Sequence, residues 1–271
     1  MYTERIVLFI DILGFKELVT DKSNGFDNVN NIYEEFNMMI KESHNRFSEQ
    51  TRSFERVTNK KYGNVQGIIQ FDQKYQDLIF FSDCVVWTYP TDKLPKIDFY
   101  LVLFSLCGVL GILTAVLYAK KITFRGGIAI GDIYMSGGKV FGDGLVKAYE
   151  LEKKACYPRI VFDKKLVEDR VDSRIFKCLF KRKLIYSLKE EHYYFNYFES
   201  ISMFAEVLGT SKDEKEKKIT MLSLSTFVNP VITAINSGIC HEKESVRRKY
   251  QWLKAKLLSI EKIEPYLKDL E

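Results

Sequence analysis

Ile6 to Ile12 is a short apolar run that stops at Gly14, the pattern of a buried strand followed by a tight turn. From Asp27 to Phe47, the spacing of Val29, Ile32, Tyr33, Phe36, Met39 and Ile40 predicts a helix. Polar Ser48 to Asn64 reads as a loop, and Val65 to Phe71 as a strand or an insertion. Leu78 to Phe81 and Cys84 to Thr88 flank Ser82-Asp83, which predicts two strands about a two-residue turn. Ile122 to Gly131 is a further strand and carries Arg125-Gly126-Gly127. A glycine-bearing loop (Gly137, Gly138, Gly142, Gly144) leads into a helix over Leu145 to Ala155 that Pro158 ends, and Arg159 to Phe162 is again strand-like.

Beyond residue 164, Leu184 to Leu188 and Tyr193 to Phe198 predict a hairpin, and the chain from Ser200 onward is helical in pattern. Lys212 to Lys218 reads as a solvated loop, and Val246 to Leu270 as an amphipathic helix with Tyr250, Leu253, Leu257, Ile260 and Leu267 on one side. Strand–helix–strand–strand–helix–strand order predicts an α+β sandwich with helices on one face of a sheet, followed by an annex. The expected division is residues 1–170 and 171–271. Leu101 to Ala119 is an uncharged run long enough to span a bilayer. Strand-like segments on both sides, and Ser105, Cys107, Gly108, Gly111 and Thr114 within it, favour a helix buried by a sheet or a partner subunit.

Composition narrows the class. Of 271 residues, 46% are hydrophobic and 28% charged, so the chain can bury a core and is not a disordered tail. The net charge of +5 is thinly spread. That argues against a dedicated nucleic-acid binder and suits a polyanionic small molecule. Cys84, Cys107, Cys156, Cys178 and Cys240 are odd in number and lack a CxxC pair, which predicts buried free thiols in a reducing compartment. Asp11 interrupts the first apolar run and no cleavage pattern follows, so no signal peptide is expected. The expected location is the cytoplasm.

Two carboxylates stand out. Asp11 ends an apolar strand, and Asp83 sits at a hairpin tip between FF and CVVW. A carboxylate in such company is costly unless it is paired or metal-bound. Adjacent strands would aim both at one spot, which builds a divalent-cation site. Either aspartate alone reads equally well as a turn residue. The Ile12-Leu13-Gly14-Phe15 turn offers backbone N–H groups beside that spot, and Arg125 suits a phosphate contact or a structural ion pair. Together they suggest metal-dependent chemistry on a nucleoside triphosphate. His44, His192 and His241 lack ligand spacing.

The set FIDILGF, FFSDCVVW, FRGGIAIGDIY and FGDGLVKAYELEKKACYPRIVFD resembles class III nucleotide cyclases. Within that superfamily it is most similar to the pyrimidine cyclases of bacterial Pycsar antiphage defence. The resemblance covers residues 5 to 163 and implies a cyclase domain with the ferredoxin-like sandwich. It assigns Asp11 and Asp83 to two Mg²⁺ or Mn²⁺ ions, with the Ile12 carbonyl on one of them. Leu13, Gly14 and Phe15 would hold the triphosphate, and Arg125 would contact phosphate. It also implies a head-to-tail homodimer with sites at the subunit interface, which would give the 101–119 helix a destination.

Departures from the adenylate cyclase pattern inform the substrate. The purine-reading lysine and aspartate positions hold Ile79 and Lys139, and the transition-state asparagine and arginine fall at Val146 and Glu150. A purine reader lacking both base contacts would discriminate poorly. Arg159 is a candidate replacement cation reaching from a partner chain, or else a strand-entry residue paired with Glu150 or Glu152. The resemblance therefore implies conversion of UTP to 3′,5′-cyclic UMP and diphosphate, read by a separate cyclic-nucleotide effector. CTP as substrate and a catalytically silent sensor are the alternatives.

Overall fold

The computed structural model describes residues 2–20, 25, 27–38, 77–93, 110, 113, 117, 118, 122–136, 139–163, 185–188, 192–196, 198 and 228–260. The loop over 48–64, the strand over 65–71, the Lys212–Lys218 charge run, His44, Cys107, Cys178, Gly137 and Gly138 lie outside the described residues.

The chain begins with β1 (Thr3–Leu13), α1 (Phe15–Thr20) and α2 (27–38). The hairpin β2 (Asp77–Phe81) and β3 (Cys84–Pro90) follows, then β4 (Thr123–Ser136) and β5 (Lys139–Phe141). Helix α3 (Asp143–Ala155) precedes β6 (Ile160–Asp163), β7 (Ile185–Leu188) and β8 (His192–Phe195). Two helices close the described chain, α4 (228–239) and α5 (Glu244–Leu258).

Among the described residues the strands form one eight-stranded sheet in the order β2-β3-β1-β4-β6-β8-β7, with β5 paired to β4 off that path. Contacts are antiparallel except β4 with β6, which the α3 crossover makes parallel. The α+β class expected from the pattern is the class observed. The β7–β8 hairpin joins β6 in the same sheet, so the sheet runs past the division expected at residue 170.

Helices cover both faces of the sheet, not one. Along β1, Ile6, Leu8, Ile10 and Ile12 pack with Ile32 and Phe36 of α2 and with Leu110, Leu113 and Leu117. Val7 and Phe9 point the other way, onto Ala148, Leu151 and Ala155 of α3. A strand buried on both faces is continuously apolar, which is why Ile6–Ile12 shows no alternation.

Leu110, Leu113, Leu117 and Tyr118 are helical and at most 2% exposed. The chain's own sheet and helices bury these four positions, so a partner subunit is not needed for that. No helix among the described residues is long and apolar enough to cross a membrane.

Helix α5 starts two residues earlier and ends well before the expected Leu270, since Ser259 and Ile260 have left the helix. Its Tyr250, Leu253 and Leu257 pack on Val228, Val231, Ile232 and Ile235 of α4. Trp252 points back to the sheet, stacked on Tyr157 at 5.4 Å between ring centres. The cysteines differ from expectation: Cys84 is half-buried, and Cys156 and Cys240 are exposed.

Candidate active site

Pairing register assembles the site. Asp11 on β1 lies opposite Cys84 on β3 and opposite Arg125 on β4. Side chains alternate along a strand, so Asp11 shares the face of Val7 and Phe9, on the side of α3. Asp83 comes from the β2–β3 turn, where Ser82 has a φ of 53°. Two hydrogen bonds fix that tip. Ile12 N–H donates to the Asp83 carbonyl at 2.8 Å, and the Tyr33 hydroxyl of α2 donates to the Ser82 carbonyl at 2.5 Å. Burial first, then the Asp83 carboxylate, pushes the Tyr33 phenol up from its ordinary value.

One ligand atom from each of Asp11, Asp83 and Cys84 falls within a mutual 4.8 Å. Two carboxylates that close fit a hard divalent cation such as Mg²⁺ or Mn²⁺. The Cys84 thiol is 3.5 Å from Asp83 Oδ1. Burial, then Asp83, pushes it up to about 12, so it stays protonated at neutral pH and is a poor ligand in that form.

Arg125 Nε donates to Asp11 Oδ2 at 3.0 Å. The same Nε is 2.5 Å from Glu152 Oε1, which lies off the N–H direction and receives no hydrogen bond. Glu152 is 3% exposed and reaches up from α3. Its carboxyl is held above the usual carboxylate range by burial, with Asp11 adding to the effect and Arg125 opposing it. The ion pair left open for Arg125 therefore forms, with Asp11 and Glu152 as its acids.

Sequence reasoning found Asp11, Asp83 and Arg125, and the fold brings them together. It missed Glu152 as a member of the site. The available signal was an acid on the apolar side of α3, four residues from Ala148 and one from Leu151. Arg159 is 8% exposed; its Nε donates to the Ala155 carbonyl at 2.7 Å, and its guanidinium packs on Tyr194, Tyr157 and Trp252. Glu152, for its part, meets Arg125.

Gly14, at φ 86°, makes the left-handed turn between β1 and α1 that only glycine adopts without strain. Leu13 and Phe15 flank it, and the turn follows directly on the Asp11 end of the strand. Phe81 and Tyr149, 44% and 42% exposed, both pack on Phe9, and Val146, 54% exposed, lies one helical turn before Tyr149.

Because the native fold raises the Glu152 carboxyl, the folded state holds its proton more tightly than the unfolded state. That protonation favours folding at low pH, and the stability is lost as pH rises from the unfolded value of 4.5 through the folded one. Glu152→Gln should therefore gain stability relative to wild type as pH increases from about 4.5. Metal-free thermal melts at a series of pH values test this. A stability difference that stays flat with pH would show that Glu152 does not carry a raised carboxyl.

No protein-family model and no curated protein matches the chain. Among solved structures it is similar to the dimeric guanylyl cyclase domain of the RhoGC fusion protein from the aquatic fungus Blastocladiella emersonii. That match has 11% identity and a TM-score of 0.40, and covers 72% of this chain and 98% of that one. An adenylate/guanylate cyclase/hydrolase from Silicibacter pomeroyi matches at 14% identity and a TM-score of 0.39, over 72% and 97% of the two chains. The guanylyl cyclase Cya2 matches at 9% identity and a TM-score of 0.38, over 72% and 91%. Likeness this distant assigns no activity, substrate or assembly to the present chain.

Proposed function

We propose that the chain is a nucleotidyl cyclase that closes a pyrimidine nucleoside triphosphate, UTP ahead of CTP, to its 3′,5′-cyclic monophosphate and releases diphosphate. The observation that carries this reading is the convergence of Asp11, Asp83 and Arg125 from β1, the β2–β3 tip and β4 beside the Gly14 turn. The sequence motifs that resemble class III cyclases are the ones that supply these groups.

Asp11 and Asp83 would hold two divalent ions, with the Ile12 carbonyl as a further ligand to one. When bound, these ions lower the pKa of the ribose 3′-hydroxyl and stabilise the departing diphosphate. Leu13, Gly14 and Phe15 present backbone N–H groups to the phosphates. Arg125 meets its two acids through Nε alone, which leaves the terminal nitrogens of a five-donor fork for a phosphate oxygen. Glu152 keeps that fork oriented. Ile79 and Lys139, standing where adenylate cyclases read a purine, support a pyrimidine substrate. The exposed Phe81, Val146 and Tyr149 are the surface on which a second copy would complete a homodimeric site. A cytoplasmic role in antiphage signalling through a separate effector rests on the resemblance.

Incubation of the purified chain with each of ATP, GTP, CTP and UTP plus Mn²⁺ tests the reading. Cyclic UMP is the expected product. Cyclic CMP alone would move the substrate to CTP, a purine product would overturn the pyrimidine assignment, and triphosphate binding without turnover would favour a silent sensor.

A further inference from the structure

Helix α5 approaches the site from outside the segment that supplies the acids. Just before its first turn, Lys243 Nζ is 3.0 Å from Glu17 Oε1 on α1, the helix that follows the Gly14 turn. That ion pair is exposed and contributes little stability, but it marks where the helix start lies. Further along, Trp252 stacks on Tyr157 and packs against Tyr194 and Arg159. The Arg159 carbonyl in turn accepts the N–H of Gly126, the neighbour of Arg125. One anchor thus lies on the helix that follows β1, and the other on the residue whose carbonyl pairs with Gly126 of β4.

Lys249 lies between these anchors, three residues before Trp252 and therefore on the same helix face. It is half-buried, whereas Arg248 beside it is 68% exposed and pairs outward with Glu244. Burial, followed by repulsion from Arg125, holds the Lys249 ammonium below its ordinary value, while Asp11 and Glu17 pull it upward. Of these groups, Arg125 and Asp11 belong to the site, and Glu17 is the partner of Lys243.

We infer that Lys249 is a phosphate-binding residue supplied by the C-terminal helix of the same chain, so that α5 completes the polyphosphate site formed by the Gly14 turn and Arg125. This rests on the nucleotidyl cyclase reading. A lysine ammonium on a flexible stem suits a phosphate oxygen as a point charge, where Arg125 offers a planar fork. The C-terminal region is then part of the binding machinery as well as an addition to it.

Calorimetric titration of the full chain with inorganic tripolyphosphate in Mn²⁺, and with Mn²⁺ alone, tests the inference on wild type, Lys249→Met, Lys249→Arg and Asp83→Ala. Methionine keeps the apolar stem, and thermal melts report whether each variant is folded. Lys249→Met is expected to weaken tripolyphosphate about tenfold while leaving Mn²⁺ affinity alone, with Lys249→Arg recovering most of the loss. Wild-type tripolyphosphate affinity in Lys249→Met, while Asp83→Ala binds none, would overturn the role of Lys249 and leave the cyclase reading standing. Tighter Mn²⁺ binding with unchanged tripolyphosphate would make Lys249 a counter-ion of Asp11 and would also overturn it. If wild type binds no tripolyphosphate with Mn²⁺, both readings fail together.

Discussion

Asp83→Ala should lower cyclic-nucleotide formation by at least about 10³-fold, roughly 4 kcal/mol of transition-state stabilisation. The residue sits half-buried at a hairpin tip whose position depends on its backbone. The Asp83 carbonyl accepts from Ile12, and the Ser82 carbonyl accepts from Tyr33; neither bond uses the carboxylate. The variant should therefore keep the wild-type melting temperature within a few degrees while losing Mn²⁺ affinity in a titration. The same reasoning applies to Asp11, with a complication: Asp11→Ala also strips Arg125 of its hydrogen-bonded acid and leaves Glu152 as the remaining partner. Asp83 is thus the cleaner probe. Activity within tenfold of wild type in a folded Asp83→Ala protein would remove the metal assignment.

The largest effect on stability is expected at Gly127. A Cβ built there would lie 2.1 Å from the Ala148 carbonyl oxygen and 2.7 Å from both the Glu152 nitrogen and the Leu151 Cβ. Two of these are helix backbone atoms, so α3 as a whole must move off the sheet. Gly127→Ala should cost about 3 kcal/mol or more, at the upper end of overpacking. For a chain of this size that is a fall in Tm of about 6–12 °C. Activity should fall further than stability alone explains, because α3 carries Glu152 against Arg125. Gly14→Ala is the contrasting case: no atom lies within 4 Å of the added carbon, and the expense is a φ of +86° alone, about 1 kcal/mol. A Gly127→Ala protein melting within 2 °C of wild type would show that α3 does not seat on β4 as described.

Strand and turn chemistry in the first half of the site is local, and the sequence displays it. An acid at the end of Ile6–Ile12, an acid between two strand patterns, and a glycine where the chain must reverse are all visible in short windows. Arg125 was visible as a charge in a strand, but its partners were not. Glu152 is 27 residues further along and on another element, and only the parallel crossover places it under Arg125.

Helices on both faces went unread for a similar reason. A continuous apolar run says that a strand is buried twice without saying what covers each side. Periodicity predicts helix α5 but does not mark Lys249, because a lone lysine on an amphipathic helix normally faces water. Its role depends on Trp252 seating the helix against Tyr157, Tyr194 and Arg159, elements distant in sequence. The exposure of Cys156 and Cys240 was masked by apolar sequence neighbours that turn inward while the thiols do not.

The central position of β1 has a consequence for how the protein comes into being. β1 is synthesised before β3 and β4, its neighbours in the finished sheet, and Arg125 follows Asp11 by 114 residues. At about 5–20 residues per second, β1 waits roughly 6–23 s on the ribosome for that partner. During this interval it is an apolar strand with an unpaired edge, the kind of segment that associates with other chains. Slow, non-local pairing therefore leaves this strand open to association until β3 and β4 have been made.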